Sequence, residues 1–187
     1  MVVLSICIPT YNRASHLNNC LSSLIQCGLG KIPEVQVCIS DNCSTDTTKK
    51  VVIEAEKVLA IKYNINKSNL GFARNMLEVV KMADGEFVWV IGDDDLLMLG
   101  ACEKIIALIT KYRTVDFFVV NANHLTTEYV HSFSQPFSLS NLPRTMKPFS
   151  LRTESGEMPF LKLIDPKICF DYLGGIYLSV FRRSLWL

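Results

Sequence analysis

This sequence has no C-x-x-C pair, no long apolar run and no excess of charge of either sign, and each absence removes a class of function. The seven cysteines are odd in number and unpaired by spacing, which argues against a disulfide framework or a zinc ribbon. Cys7 and Cys38 fall inside apolar strand-like runs, and Cys20 and Cys102 inside helix-like ones. That usage suits small buried hydrophobes in a reducing compartment. His16, His124 and His131 are not spaced with the cysteines as zinc ligands would be. A formal net charge of +1 over 187 residues supplies no strong field for nucleic acid or for a membrane surface. From Pro143 onward lysine and arginine outnumber acidic residues, a balance that reads as a solvated surface. The opening "MVVLSICIPT" has neither a basic flank nor a small-residue cleavage site, so no signal peptide is read. Its apolar run is too short to span a bilayer. A cytoplasmic location is expected, with room for peripheral association at the inner face of the membrane.

What the chain does contain is an alternation. "VVLSICI" is a β-branched apolar run stopped by Pro9, and Arg13 to Gln26 then carries Leu17, Leu21, Leu24 and Ile25 at helical spacing. "EVQVCIS" reads as a second strand, followed by a helix capped by Ser44 or Asp46 and running through Val51, Val52, Ala55 and Leu59. "IKYNIN" is a third strand, Phe72 to Met82 a third helix and "EFVWVI" a fourth strand. Met98 to Tyr112 reads as a helix and "VDFFVVNA" as another strand. Strands alternating with helices imply an α/β fold with a mostly parallel sheet and helices on both faces. The near-continuous apolar strands agree, because parallel strands are buried on both sides. Ligands of such sheets bind beyond the carboxyl ends of the strands. The polar clusters "PTYNR", "SDNCSTD", "KSNLG" and "GDDD" stand there.

After Asn123 the periodicity degrades, and residues 124 to 160 form a long excursion of the functional or mobile kind. "GGIYLSVFRRSLWL" reads as one more strand and the start of a helix, and an end inside an apolar run suggests a piece of a longer protein.

Asp93, Asp94 and Asp95 follow the fourth strand directly. Adjacent carboxylates repel and raise one another's pKa. One explanation is a plain acidic turn with Asp95 as a helix cap. The other is a divalent cation, since Mg²⁺ or Mn²⁺ takes one or two protein carboxylates and fills its sphere with phosphate oxygens. On an extended segment Asp93 and Asp95 would share a face while Asp94 points elsewhere.

In order, "ICIPTYNR", "ISDNCSTDTT", "NLGFARN" and "ADGEFVWVIGDDDLL" closely resemble the pattern of glycosyltransferase family 2 on the Rossmann-like GT-A fold. The likeness runs from about Ser5 to Gly100. It implies a transferase that moves a sugar from a nucleoside-diphosphate donor, a UDP-sugar first among them, to an acceptor hydroxyl, with inversion. It also implies Mg²⁺ or Mn²⁺ and, as in many relatives, a glycan or lipid-linked acceptor in bacterial polysaccharide synthesis.

The resemblance carries over residue by residue. Pro9, Thr10 and Tyr11 match the stretch that lies against the nucleotide base, and Arg13 follows in the same motif. For Tyr11 a rim aromatic is the plain alternative. Asp41 matches the carboxylate that accepts from the base N–H, and an ionised carboxylate is acceptor-only. Asn42 stands where the family often has a second Asp. Asn69, Gly71, Arg74 and Asn75 match a later element in which the Arg approaches the diphosphate or nucleoside, a surface helix arginine being the alternative reading. Asp95, with Asp93, matches the metal position, and Asp93 or Asp94 would reach the ribose or a metal-bound water.

Residues 1–123 are then the donor-binding half and 124–187 a truncated acceptor-side half. An inverting transferase needs a general base. Asp171 is the nearest candidate, with a strand-end role as its alternative and the expected acidic motif lying past Leu187. A non-catalytic nucleotide-sugar-binding module therefore remains the second reading. Sugar nucleotidyltransferases and dinucleotide-binding dehydrogenases are disfavoured, because no glycine-rich loop follows the first strand.

Overall fold

The computed structural model describes residues 1–152, 155–163 and 175–186. In chain order the elements are β1 (Leu4–Thr10), α1 (Ala14–Gln26), β2 (Val35–Asp41), α2 (Thr48–Glu56), β3 (Ile61–Ile65), α3 (Phe72–Lys81) and β4 (Phe87–Val90). There follow α4 (Ala101–Lys111), β5 (Phe117–Val119), α5 (Thr127–His131), α6 (Phe160–Leu163) and β6 (Ser179–Arg182). The strands form one sheet in the order β3-β2-β1-β4-β6-β5.

β1, β2, β3 and β4 are parallel, and β6 is antiparallel to both β4 and β5. The α4 crossover carries the chain from β4 past one strand position, and β6 returns to fill that gap in the opposite direction. The sheet is thus an α/β sheet with a parallel half and an antiparallel edge.

Alternation along β1 distributes its side chains to two cores. Leu4, Ile6 and Ile8 face α1 and α2, packing with Leu17, Leu21, Leu24 and Val52. Cys7 faces the other way with Cys38, Val88 and Val90, against Val79 and Val80 of α3. Cys7, Cys20, Cys27, Cys38 and Cys102 are buried free thiols, as the apolar context predicts. No described helix is long and apolar enough to cross a membrane.

Two sequence boundaries move. The fourth helix starts at Ala101, because Gly100 adopts φ +77 in the left-handed region and closes off a turn. The fifth strand is confined to Phe117–Val119 at the sheet edge. The 124–150 excursion packs onto α1. Phe137 is fully buried, worth about 2–3 kcal/mol. Its N–H donates to Asn19 Oδ1 (2.8 Å), its carbonyl accepts from Gln26 Nε2 (2.9 Å), and Leu139 N donates to Gln26 Oε1 (2.8 Å).

Candidate active site

The connection after β1 goes to one side of the sheet and that before β4 to the other, so the carboxyl ends of β1 and β4 flank the point where strand order reverses. Open α/β sheets leave a crevice there. β4 ends at Val90, and Gly92 to Asp95 form a turn in which Asp95 N donates to Gly92 O (3.2 Å) and Gly92 N to Asp95 Oδ2 (2.6 Å). A Cβ at Gly92 would stand 2.7 Å from Asp94 Oδ1 and 3.2 Å from Asp95 Oδ2, so a larger residue here would displace those carboxylates.

The strand-like alternation of Asp93 and Asp95 is therefore replaced by a tighter arrangement. Asp93 is buried and accepts from the Thr10 hydroxyl at 2.7 Å. Arg13 bridges two carboxylates, with Nη1 3.2 Å from Asp93 and Nη2 2.7 Å from Asp94. Burial pushes the Asp93 carboxyl up to about 6, against the opposing pull of Thr10 and Arg13. Burial likewise pushes Asp95 up to about 6, opposed by the Gly92 N–H and reinforced by its acidic neighbours. Arg13 is the cation paired with this cluster, and it leaves negative charge in excess.

Asp41 ends β2 and is buried. Its Oδ1 accepts from Ser44 N and its Oδ2 from the Tyr63 hydroxyl, both at 2.8 Å. Burial and that bond to Asp41 push the Tyr63 phenol up. Behind Asp41 lies a network of asparagines. Asn75 Oδ1 accepts from Ser40 Oγ (2.7 Å) and Asn66 Nδ2 (2.8 Å), while its Nδ2 donates to the carbonyls of Ser40 (2.9 Å) and Thr10 (3.3 Å). Asn42 donates to Asn69 Oδ1 (2.8 Å) and accepts from Leu70 N (2.8 Å), and Asn69 Oδ1 also takes Gly71 N (2.8 Å). Asn42, Asn69 and Gly71 thus shape the turn into α3, and this leaves Arg74 exposed on that helix.

The loops after β1 and β2 are joined across. Asn12 N donates to Ser44 Oγ, Thr45 N to Asn12 Oδ1, and Ala14 N to Asp46 Oδ2. Asp46 Oδ1 accepts from Thr48 N (2.9 Å) at the start of α2, while the N-cap position itself is Thr47 rather than Ser44 or Asp46. Tyr11 stands exposed above them, and Pro9 is buried in β1. Asp171 lies outside the described residues.

On the β4–β6–β5 side the fold leaves an open cavity of about 1310 Å³. It reaches the acidic turn at Asp94 and Asp95, and it is walled by His16 and Asn19 of α1 and by His131 of α5. Asp94 and Asp95 are the residues of the sequence-predicted set that line it. Thr10, Asp41 and Asn69 are not among the residues that line it. Tyr63, Asn66, Asn19 and His131 belong to the site's framework and escape a motif reading. Their one sequence signal is in α1, where His16, Asn19 and Ser23 place polar groups at i, i+3 and i+7 beside an apolar stripe. Among the described residues no group of three or more His, Cys, Asp or Glu is arranged to hold a metal ion.

The model of the family "Glycosyl transferase family 2" matches residues 5–165. Abequosyltransferase RfbV of Salmonella typhimurium is 39% identical over 98 residues, which cover 51% of this chain and 29% of that protein. An uncharacterized glycosyltransferase of Haemophilus influenzae is 27% identical over 184 residues, or 98% of this chain and 58% of that one. The chain therefore spans less than two thirds of the length of these curated relatives. The structure of S. aureus TarS 1–349 in complex with UDP shares the fold, with a TM-score of 0.64 at 19% identity over 98% of this chain and 48% of that one. A mannosyltransferase of Pyrobaculum calidifontis in complex with GDP-Man and Mn²⁺ has a TM-score of 0.55 at 20% identity, covering 65% of this chain and 35% of that one.

Proposed function

The chain belongs to glycosyltransferase family 2, and from that premise we propose that it binds a nucleoside-diphosphate sugar at the β1–β4 switch point and passes the sugar to an acceptor hydroxyl, with inversion. The observation that carries this reading is the acidic turn. Two carboxyls pushed up to about 6 stand beside a third, and among the described residues Arg13 is the cation paired with them. That excess of hard oxygen donors fits Mg²⁺ or Mn²⁺. The lack of a three-ligand group is consistent, because such ions rely on one or two protein carboxylates and complete their shell with phosphate and water. Asp95 and Asp93 would hold the ion, which when bound stabilises charge on the departing diphosphate.

The protein's own groups supply position. Thr10 and Arg13 hold Asp93 in place and favour its ionised form against the effect of burial. Arg13 also holds the exposed Asp94 at the edge of the cavity. Asp41, anchored by Tyr63 and Ser44, presents a buried acceptor-only carboxylate for a base N–H. A uracil imide suits it, and the related fold of TarS was solved with UDP. Arg74 is exposed at the start of α3, where a planar guanidinium can meet phosphate oxygens. The cavity beyond Asp94 and Asp95 gives the sugar and the acceptor, a glycan or lipid-linked glycan, a place apart from the nucleotide.

Titration calorimetry with UDP, GDP, CDP and ADP, with and without Mn²⁺, tests the reading. One nucleotide should bind with Mn²⁺-dependent affinity. Binding that ignores Mn²⁺, or no binding by any nucleotide, refutes it.

A further inference from the structure

Both oxygens of Asp93 are already engaged. Oδ2 accepts from the Thr10 hydroxyl at 2.7 Å, and Oδ1 faces Arg13 Nη1 at 3.2 Å. A divalent ion at Asp93 must therefore share an oxygen with one of these partners or displace it. Thr10 is held where it is. It is 3% exposed at the end of β1, and its carbonyl accepts from Asn42 N (2.9 Å) and Asn75 Nδ2 (3.3 Å).

Arg13 is the partner free to leave. Its side chain is 42% exposed and hangs from a fixed backbone. Asn12 N and Ala14 N on either side donate to Ser44 Oγ and Asp46 Oδ2, and Arg13 O accepts from Leu17 N (3.0 Å). Beyond that anchor the guanidinium rests on Asp93 and Asp94 at the end of a flexible stem. It stays protonated at any working pH, so acid or base does not release it. Another cation does, because a guanidinium and a divalent ion on one carboxylate oxygen repel each other.

We propose that Arg13 is a resident counter-cation of the acidic turn, which a divalent ion must displace from Asp93, and that the freed guanidinium then meets the phosphate oxygens of the nucleotide. This rests on the function proposed above and deepens it, by making ion and nucleotide bind as a pair. An ion arriving alone breaks the contacts of Arg13 and leaves the guanidinium without an anion. An ion arriving with a nucleoside diphosphate brings it a new one, where its planar fork suits phosphate. Such coupling is reciprocal, so each ligand tightens the other by the same factor. Asp94, released in the same movement, becomes available to the bound ligands.

The test measures Mn²⁺ affinity of the full chain by electron paramagnetic resonance of the free ion, without nucleotide and with UDP, GDP, CDP or ADP. Wild type is compared with Arg13→Gln, which removes the charge, and Arg13→Lys, which keeps it. Without nucleotide, Arg13→Gln should bind Mn²⁺ about five- to ten-fold more tightly than wild type. The factor by which nucleotide tightens Mn²⁺ should shrink by a similar amount, and Arg13→Lys should stay within about two-fold of wild type in nucleotide-free affinity. A second measurement needs only folded wild type and Arg13→Lys. The Nε–H resonance of Arg13, assigned by its loss in Arg13→Lys, should move when Mg²⁺ is added. The proposal is overturned if Arg13→Gln binds Mn²⁺ no more tightly than wild type, if the nucleotide factor is unchanged, if Arg13→Lys matches Arg13→Gln, or if the Arg13 resonance stays fixed at saturating Mg²⁺. A wild type that binds no Mn²⁺ with any nucleotide refutes the proposed function instead. Arg13→Gln still decides the inference in that case, since Mn²⁺ binding gained there upholds the competition and none overturns it.

Discussion

Asp95→Asn separates the electrostatic state of the acidic turn from its shape. The amide oxygen of Asn can still accept the Gly92 N–H, so the turn survives while the charge goes. The wild-type carboxyl rises from 3.8 to about 6 on folding. Its folded value lies above its unfolded value, so the stabilising contribution of its proton is complete below 3.8 and is lost as pH climbs through about 6. At about 1.4 kcal/mol per pH unit, the ionised group at neutral pH carries a penalty of roughly 3 kcal/mol at most. Asp93 shares in the same repulsion, so about 1–3 kcal/mol is the expected gain from the substitution. For a chain of this size that raises the melting temperature by roughly 3–10 °C. Thermal melts in EDTA should show this gain at about pH 7.5 and only about a third of it at about pH 4.5, where the folded carboxyl is protonated while the unfolded one is still mostly ionised. A variant no more stable than wild type at the higher pH, or equally stabilised at both, refutes the reasoning. Added Mn²⁺ and nucleotide should reverse the ranking, because only the wild type retains that carboxylate.

Asn75→Ala strips partners from Ser40 Oγ, Asn66 Nδ2 and the carbonyls of Ser40 and Thr10. Chemical denaturation should show a loss of about 2–4 kcal/mol. Tyr63→Phe removes a hydroxyl bonded to Asp41. It should cost about 1–3 kcal/mol and change the ratio of UDP to CDP affinity more than it changes the response to Mn²⁺. Gly92→Ala drives a methyl into Asp94 Oδ1. Calorimetry should find Mn²⁺-dependent nucleotide binding weakened by about two- to ten-fold as the carboxylates shift, with a stability loss below about 1 kcal/mol.

Much of the fold was legible because burial leaves a periodic trace. The seven residues of β1 are all buried, and a strand covered on both faces reads as an unbroken apolar run. The direction of β6 was not legible, since a four-residue strand carries no mark of whether its neighbour runs with it or against it. The helix that the sequence begins at Met98 starts at Ala101, because the glycine before it takes a conformation the apolar pattern does not register. At the site, the spacing of Asp93 and Asp95 suggested a shared face on an extended strand. Backbone bonds between Gly92 and Asp95 turn the chain there instead. Asn19 is one polar residue in an amphipathic helix, and only the packing of the Phe137 segment against it shows that its oxygen is bonded and its nitrogen is not.

The sequence by itself determined that strands and helices alternate and that polar clusters follow the strands. Each of those properties is local, written in which neighbouring residues avoid water. The tertiary structure decided which clusters meet. Thr10 reaches Asp93 across 83 residues, and Asn19 holds Phe137 across 118. Strand order brings the ends of β1 and β4 side by side, and order is a property of the whole sheet, fixed by how all the faces pack at once rather than by any one segment.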